Sequence, residues 1–158
     1  MTDESIQPSS FSPQTFPMDL RQRTKQFALR IIRLYSALPK TTEAQVIGKQ
    51  LLRSGTSVGA HYREATRSRS TAEFVSKIEG GLQELDESAY WMELLVESEI
   101  IPETRLKDLL QEANELTAIL VTCSKNAKSK GMEEEDRRMK QRRKNEGRRM
   151  SEERGDAS

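Results

Sequence analysis

Apolar residues recur every three or four positions over four separate stretches of this chain, and no segment alternates like a half-buried strand. The first stretch carries Leu20, Thr24, Phe27, Ile31, Leu34 and Leu38, a spacing that lines one face of an α-helix. Pro17 suits a first helical turn, Asp19 favours the helix N-terminus, and Pro39 ends the run. Thr42 with Gln45 has capping-box spacing and predicts a second helix, striped by Ile47, Leu51, Ser54, Val58, His61 and Ala65. Ser70 with Glu73 predicts another such start. The third stripe follows as Phe74, Ile78, Gly81 or Leu82, Leu85, Ala89, Met92 and Val96. Ile100-Ile101-Pro102 closes it, and Leu106, Leu109, Ala113, Leu116, Leu120 and Cys123 predict a fourth helix that frays near Lys130-Gly131.

Four amphipathic helices with short connections bury their stripes most simply as an all-α, antiparallel up-down four-helix bundle, predicted here over residues 17–130. Residues 1–16, with Pro8, Ser9, Ser10, Ser12 and Pro13, show no apolar period and predict a disordered lead. Residues 131–158 are a charged tail whose only apolar residues are Met132, Met139, Met150 and Ala157. Without a core to bury, that tail is expected to be disordered or partly helical.

Charge sharpens the picture. The net charge is only +1, yet Asp19 to Ser70 holds eleven basic and three acidic residues, whereas Thr71 to Glu99 holds one basic and eight acidic. Such segregation serves pairing within the chain, pairing between subunits, or an anionic ligand. Hydrophobic content of 34% and charged content of 32% suit a lean helical protein. No apolar run approaches the roughly 20 residues of a membrane span. The N-terminal residues lack a basic and apolar leader pattern, so a cytoplasmic location is expected.

Chemistry is sparse. The single Cys123 excludes an intramolecular disulfide and a cysteine-based metal cluster. His61, the only histidine, falls on the apolar side of helix two and has no companion ligand; it is expected to pack. The Ser and Gly residues of 54–59 lack the Gly-Lys-Ser/Thr ending of a phosphate-binding loop. Glu84, Glu87, Glu93 and Glu97 lie at helical spacing but lack the Glu-x-x-His partners of di-metal bundles. Tyr90 and Trp91 are adjacent and cannot both point inward; one is left for the rim or a subunit contact. No catalytic, metal or cofactor site is therefore expected.

Two features remain. Gly55 and Gly59 sit four apart inside helix two, where each costs roughly 1 kcal/mol against alanine; they are expected to admit a closely packed neighbour, most simply another backbone. Arg23, Arg30 and Arg33 on helix one, with Arg53, Arg63, Arg67 and Arg69 along and beyond helix two, form the candidate nucleic-acid-binding set. Arginine forks match phosphate oxygens, and phosphate contacts dominate non-specific affinity for RNA or DNA. The competing expectation is that these arginines pair with the acidic third helix.

The run Leu51-Leu52-Arg53-Ser54-Gly55-Thr56-Ser57-Val58-Gly59-Ala60, followed by Tyr62-Arg63-Glu64-Ala65, resembles the signature of a family of small bacterial four-helix bundle proteins. Some of its members are encoded in intervening sequences of large-subunit ribosomal RNA genes. Glu73-Phe74, Lys77-Ile78, Leu82-Gln83-Glu84-Leu85-Asp86-Glu87 and Tyr90-Trp91-Met92-Glu93-Leu94-Leu95 extend the likeness across roughly Leu20 to Lys128. The family pattern usually has asparagine where this chain has His61. A relative of the family, the accessory variability protein of diversity-generating retroelements, is similar in fold, forms a ring-like pentamer, and is thought to bind nucleic acid beside a reverse transcriptase. The resemblance thus implies a bundle, a homo-oligomeric ring such as a pentamer, and a ribosomal RNA or reverse-transcriptase context. The expected function is non-enzymatic nucleic-acid binding. The alternative is a scaffold whose basic and acidic faces pair between subunits.

Overall fold

The computed structural model describes residues 16–157. The disordered lead expected over 1–16 lies outside them except for Phe16. Four helices follow in order: α1 (Phe16–Ser36), α2 (Thr42–Thr66), α3 (Thr71–Glu97) and α4 (Glu103–Gly155). They pack antiparallel, each against the next, while α1 and α4 close the bundle along a thinner seam. No strand occurs among the described residues, and no helix among them is long and apolar enough to cross a membrane.

The core is the meeting of the four stripes. Leu20, Phe27, Ile31, Leu51, Val58, Ile78, Leu85, Met92, Leu106, Leu116 and Leu120 are all essentially inaccessible to solvent. Removing such side chains from water is the main term holding helices of this composition together. Inside the apolar layer sits one polar node: the Ser54 and Ser88 hydroxyls lie 2.9 Å apart between α2 and α3. Ser88 donates to the Glu84 carbonyl at 2.7 Å and Ser54 has the Leu51 carbonyl at 3.3 Å, so both buried hydroxyls are satisfied.

Several boundaries differ from the sequence expectation, each for a local reason. The N-cap of α2 is Thr41, whose hydroxyl accepts from the Ala44 amide, and not Thr42. Gln45 does not complete a capping box; it donates to the Pro39 carbonyl and accepts from the Tyr35 hydroxyl. The cap at Ser70 does form, accepting from Glu73 N–H, while the Glu73 carboxylate reaches back to the Arg69 amide. Along α3 the buried row drifts to Ser88 and Leu95, in place of Ala89 and Val96. In α2 Tyr62 turns inward while His61 is half-buried, and in α4 Ser124 takes the inner position beside a half-buried Cys123.

The turn after α3 is a Schellman motif: Glu99 N–H bonds to Val96 and Ile100 N–H to Leu95, with Glu99 in the left-handed region at φ 61°. The largest difference is at the C-terminus. α4 does not fray at Lys130-Gly131 but runs on to Gly155, fifty-three residues in all. Glu, Lys, Arg, Gln and Met, the strong helix formers that fill the tail, sustain it without a core.

Gly55 and Gly59 of α2 face α1. A Cβ at Gly55 would overlap Ile31 Cδ1, and one at Gly59 would lie 3.2 Å from Thr24 Oγ1 and 3.6 Å from the Thr24 backbone carbon. The close neighbour at Gly55 is thus a side chain, and the main chain approaches only at Gly59. Further along, Leu38 and Tyr35 fill the space over Gly48 in the same way.

Candidate nucleic-acid interface

The register of the bundle decides which charges meet. Thr24 lies on Gly59, Val58 on Gly81, Gly81 on Leu120 and Thr71 on Gly131. One end of the molecule therefore collects the start of α1, the end of α2, the α2–α3 turn and α4 around residues 125–131.

The seven candidate arginines stand in different surroundings along α1, α2 and the α2–α3 turn. Arg23 is bidentate to Glu112, with both bonds at 3.0 Å, and adds Glu115 at 2.8 Å. Its partner helix is α4, not the third helix that charge counting favoured. Arg53 lies across α3, bonded to Glu84 at 3.3 Å and to Glu87; the Glu87 contact holds its guanidinium above the ordinary arginine range. These two side chains are committed within the chain. Arg30 and Arg33 stand further along α1, Arg33 in its last turn. Arg63, Arg67 and Arg69 do come together, at the α2–α3 end. No carboxylate lies within ion-pair distance of these last five among the described residues.

Sequence reasoning missed the neighbours that the bundle brings to the same end: Arg21, Lys25, Lys125 and Lys130. Arg21 approaches Tyr62 closely enough to counter part of the rise that burial imposes on the phenol. Two other cations there are already engaged, Lys77 with Glu64 at 2.6 Å and Lys128 with Glu79 at 2.6 Å. The Lys77 bond holds the Glu64 carboxyl below its usual range, and Glu64 in turn raises Lys77. Only the helical register, which places residue 21 beside 62 and residue 131 beside 71, reveals the collection.

A wide, open groove of about 1550 Å³ runs along this end, between the α2–α3 turn with the start of α3 and the outer part of α4. Arg69, Ser70, Phe74, Cys123, Lys130 and Arg138 are among its walls. At the start of α3 the Ser70 hydroxyl takes the Glu73 amide and the Glu73 carboxylate takes the Arg69 amide.

His61 fills the space over Gly80, where a Cβ would lie 2.9 Å from its Nδ1. Its Nε2 is 3.9 Å from Glu84 Oε1, and Nδ1 is buried without a hydrogen-bond partner among the described residues. The residue is a wedge between α2 and α3. Burial pushes the Cys123 thiol up, which disfavours the thiolate needed for nucleophilic work. Alkylation of Cys123 should accordingly keep accelerating at pH values where a free cysteine has levelled off. A mass-spectrometric rate profile checks this; a rate that levels off together with that of a free cysteine would contradict it. Tyr90 is 52% exposed and tilted against Trp91, ring centres 5.0 Å apart, while Trp91 is half-buried. Among the described residues, no group of three or more His, Cys, Asp and Glu side chains is arranged to hold a metal ion.

With this geometry in place, likeness to known proteins is informative. A crystal structure of a protein of unknown function from the S23 ribosomal protein family of Bacteroides thetaiotaomicron VPI-5482 is 34% identical, with a TM-score of 0.66. The match spans 70% of this chain and 98% of that one. No curated protein matches the chain. The family model described as 23S rRNA-intervening sequence protein matches residues 17–122, which takes in the bundle and stops short of the outer part of α4. This chain is a member of the 23S rRNA-intervening sequence protein family.

Proposed function

We propose that this protein is a non-enzymatic, self-associating bundle that binds nucleic acid at its α2–α3 end, through phosphate-backbone contacts from Arg63, Arg67 and Arg69. Arg21, Lys25, Lys125 and Lys130 complete the surface. The observation that carries the proposal is that these cations lie at one end of the bundle with no carboxylate at ion-pair distance among the described residues, whereas Arg23 and Arg53 have theirs. The aromatic residues among them, Tyr62 and Phe74, are buried and half-buried, so recognition is of the backbone and weakly selective for sequence. Self-association finds support in Tyr90, Val46 and Ile32, large apolar side chains that the single bundle leaves 52%, 56% and 42% exposed. RNA and DNA are both substrates for such a surface.

The test is fluorescence anisotropy with duplex and single-stranded RNA and DNA over a salt series. Arg63→Gln/Arg67→Gln/Arg69→Gln should weaken binding and make the log–log salt slope shallower by about 2 to 3, at about 0.9 per phosphate contact on duplex DNA. An unchanged affinity and slope in that variant would remove the surface from consideration. A second reading, a scaffold without nucleic acid, is favoured by the neutralisation of Arg23 and Arg53. It would be adopted if the full chain bound nothing at low salt.

A further inference from the structure

The outer part of α4 is the one large surface that the bundle does not explain. Gly131 passes Thr71, the first residue of α3, with so little room that a Cβ would lie 3.0 Å from Thr71 Cγ2. Beyond that point the helix packs against nothing among the described residues, and every residue from Met132 to Ala157 is exposed. The part from Met132 to Gly155 is about 36 Å long at 1.5 Å per residue.

Within it, residues 137–149 hold eight cations and one anion: Arg137, Arg138, Lys140, Arg142, Arg143, Lys144, Arg148 and Arg149 against Glu146. A solvated single helix is ordinarily sustained by opposite charges four apart. Here Arg138 and Arg142, Lys140 and Lys144, and Lys144 and Arg148 put like charges at that spacing, each such pair mildly destabilising the helix. Ion pairs reach only Arg137, from Glu133, and Arg142, from Glu146. The other six cations have no carboxylate partner among the described residues.

Their angular distribution selects a partner. Arg137, Lys140, Lys144 and Arg148 form one ridge, and Arg138, Arg142 and Arg149 form a second about 135° around the helix, with Arg143 on a third side. A flat anionic surface would engage one ridge only. The major groove of a B-form duplex is wide enough for an α-helix and places phosphates on both of its flanks. A-form RNA has a major groove too narrow for side chains to read.

We infer that the projecting segment of α4 around residues 137–149 is a basic helix that lies in the major groove of duplex DNA. This deepens the proposed nucleic-acid binding by naming its ligand class, and rests on that reading for the biological setting alone. The segment lies beyond the part of the chain matched by the family model, so it is a property of this chain's own extension.

The experiment measures anisotropy of the full chain with a 20-base-pair DNA duplex, an RNA duplex and a DNA single strand of equal length. It is run on three proteins: the natural one, Arg138→Gln/Lys140→Gln/Arg143→Gln/Arg148→Gln, and the bundle variant Arg63→Gln/Arg67→Gln/Arg69→Gln. Glutamine keeps helix propensity, and circular dichroism verifies that helix content is retained. The expected result is tightest binding to duplex DNA, and a loss of about 3 to 4 in salt slope for the α4 variant on that ligand. Full affinity and slope in the α4 variant would overturn the inference while leaving the bundle surface standing if the bundle variant loses affinity. Equal loss on duplex RNA or single strand would also overturn it, since charge without groove fit would then suffice. Loss in the α4 variant alone would retain the inference and retire the bundle surface. No binding by the natural protein would end both.

Discussion

Gly55→Leu should lower the thermal midpoint of the bundle by roughly 10 °C, because the substituted side chain must occupy the space held by Ile31 Cδ1. Overpacking of this kind costs about 1 to 3 kcal/mol and sometimes more, and a chain of this size loses roughly 4 °C per kcal/mol. The atom in the way is the end of a flexible side chain, so a small addition has an escape that leucine lacks. Gly55→Ala should therefore cost less, and shortening the neighbour in Gly55→Ala/Ile31→Val should recover part of the loss. That non-additivity is the signature of direct contact. Gly59 offers less relief, because its neighbour Thr24 is short and its main chain is near. Calorimetry on these three variants and on Ile31→Val alone decides; a Gly55→Leu midpoint within 2 °C of the natural protein would dispose of close packing between α1 and α2.

Phe27→Ala should be more damaging still. Phe27 is fully buried at the centre of α1, and removing a phenyl ring from such a position costs about 3 to 5 kcal/mol in transfer and cavity terms together. The location of the damage is as informative as its size. α1 leans on α2 throughout but meets α4 along a thinner seam, where Arg23 with Glu112 and Glu115 is the polar clasp. Weakening the apolar grip of α1 should let that helix open before the other three. Hydrogen exchange of α1 amides should then accelerate ahead of those in α2 and α3, alongside the fall in urea midpoint. Uniform acceleration throughout the bundle would show that α1 is not a separable unit, and a stability loss below 1 kcal/mol would show that Phe27 is not an anchor.

Much of the fold is readable from periodicity because burial imposes it. Leu20, Phe27 and Ile31, or Leu106, Leu116 and Leu120, fall where a helix packed between two neighbours requires them. The discrepancies arise where the rule is short-range and the cause is not. At the end of α3, Leu94, Leu95 and Val96 are all apolar, so spacing cannot tell which one points inward; packing selects Leu95. Gly131 has the composition of a stop, yet its lack of a side chain serves the passage of α4 past Thr71.

The charged surface was legible in outline and not in detail. Counting residues shows a basic first half and an acidic third helix. It does not show that Arg23 meets Glu112, 89 positions away, or that Arg53 is held by Glu84. Those partnerships depend on which turn of one helix lies beside which turn of another. The same ignorance of register hid Arg21 and Lys125, each unremarkable within its own segment. The need for small residues at 55 and 59 was visible, but the identity of what fills the space was not.

The passage of α4 beside Thr71 has a geometric corollary. Because the rod emerges with no joint between it and the bundle, its direction is inherited from the core rather than chosen in solution. Whatever it grips is held at a set distance and angle from the rest of the molecule, as by the jaw of a calliper. Copies that associate through their bundles would thereby impose a fixed spacing on everything their rods hold.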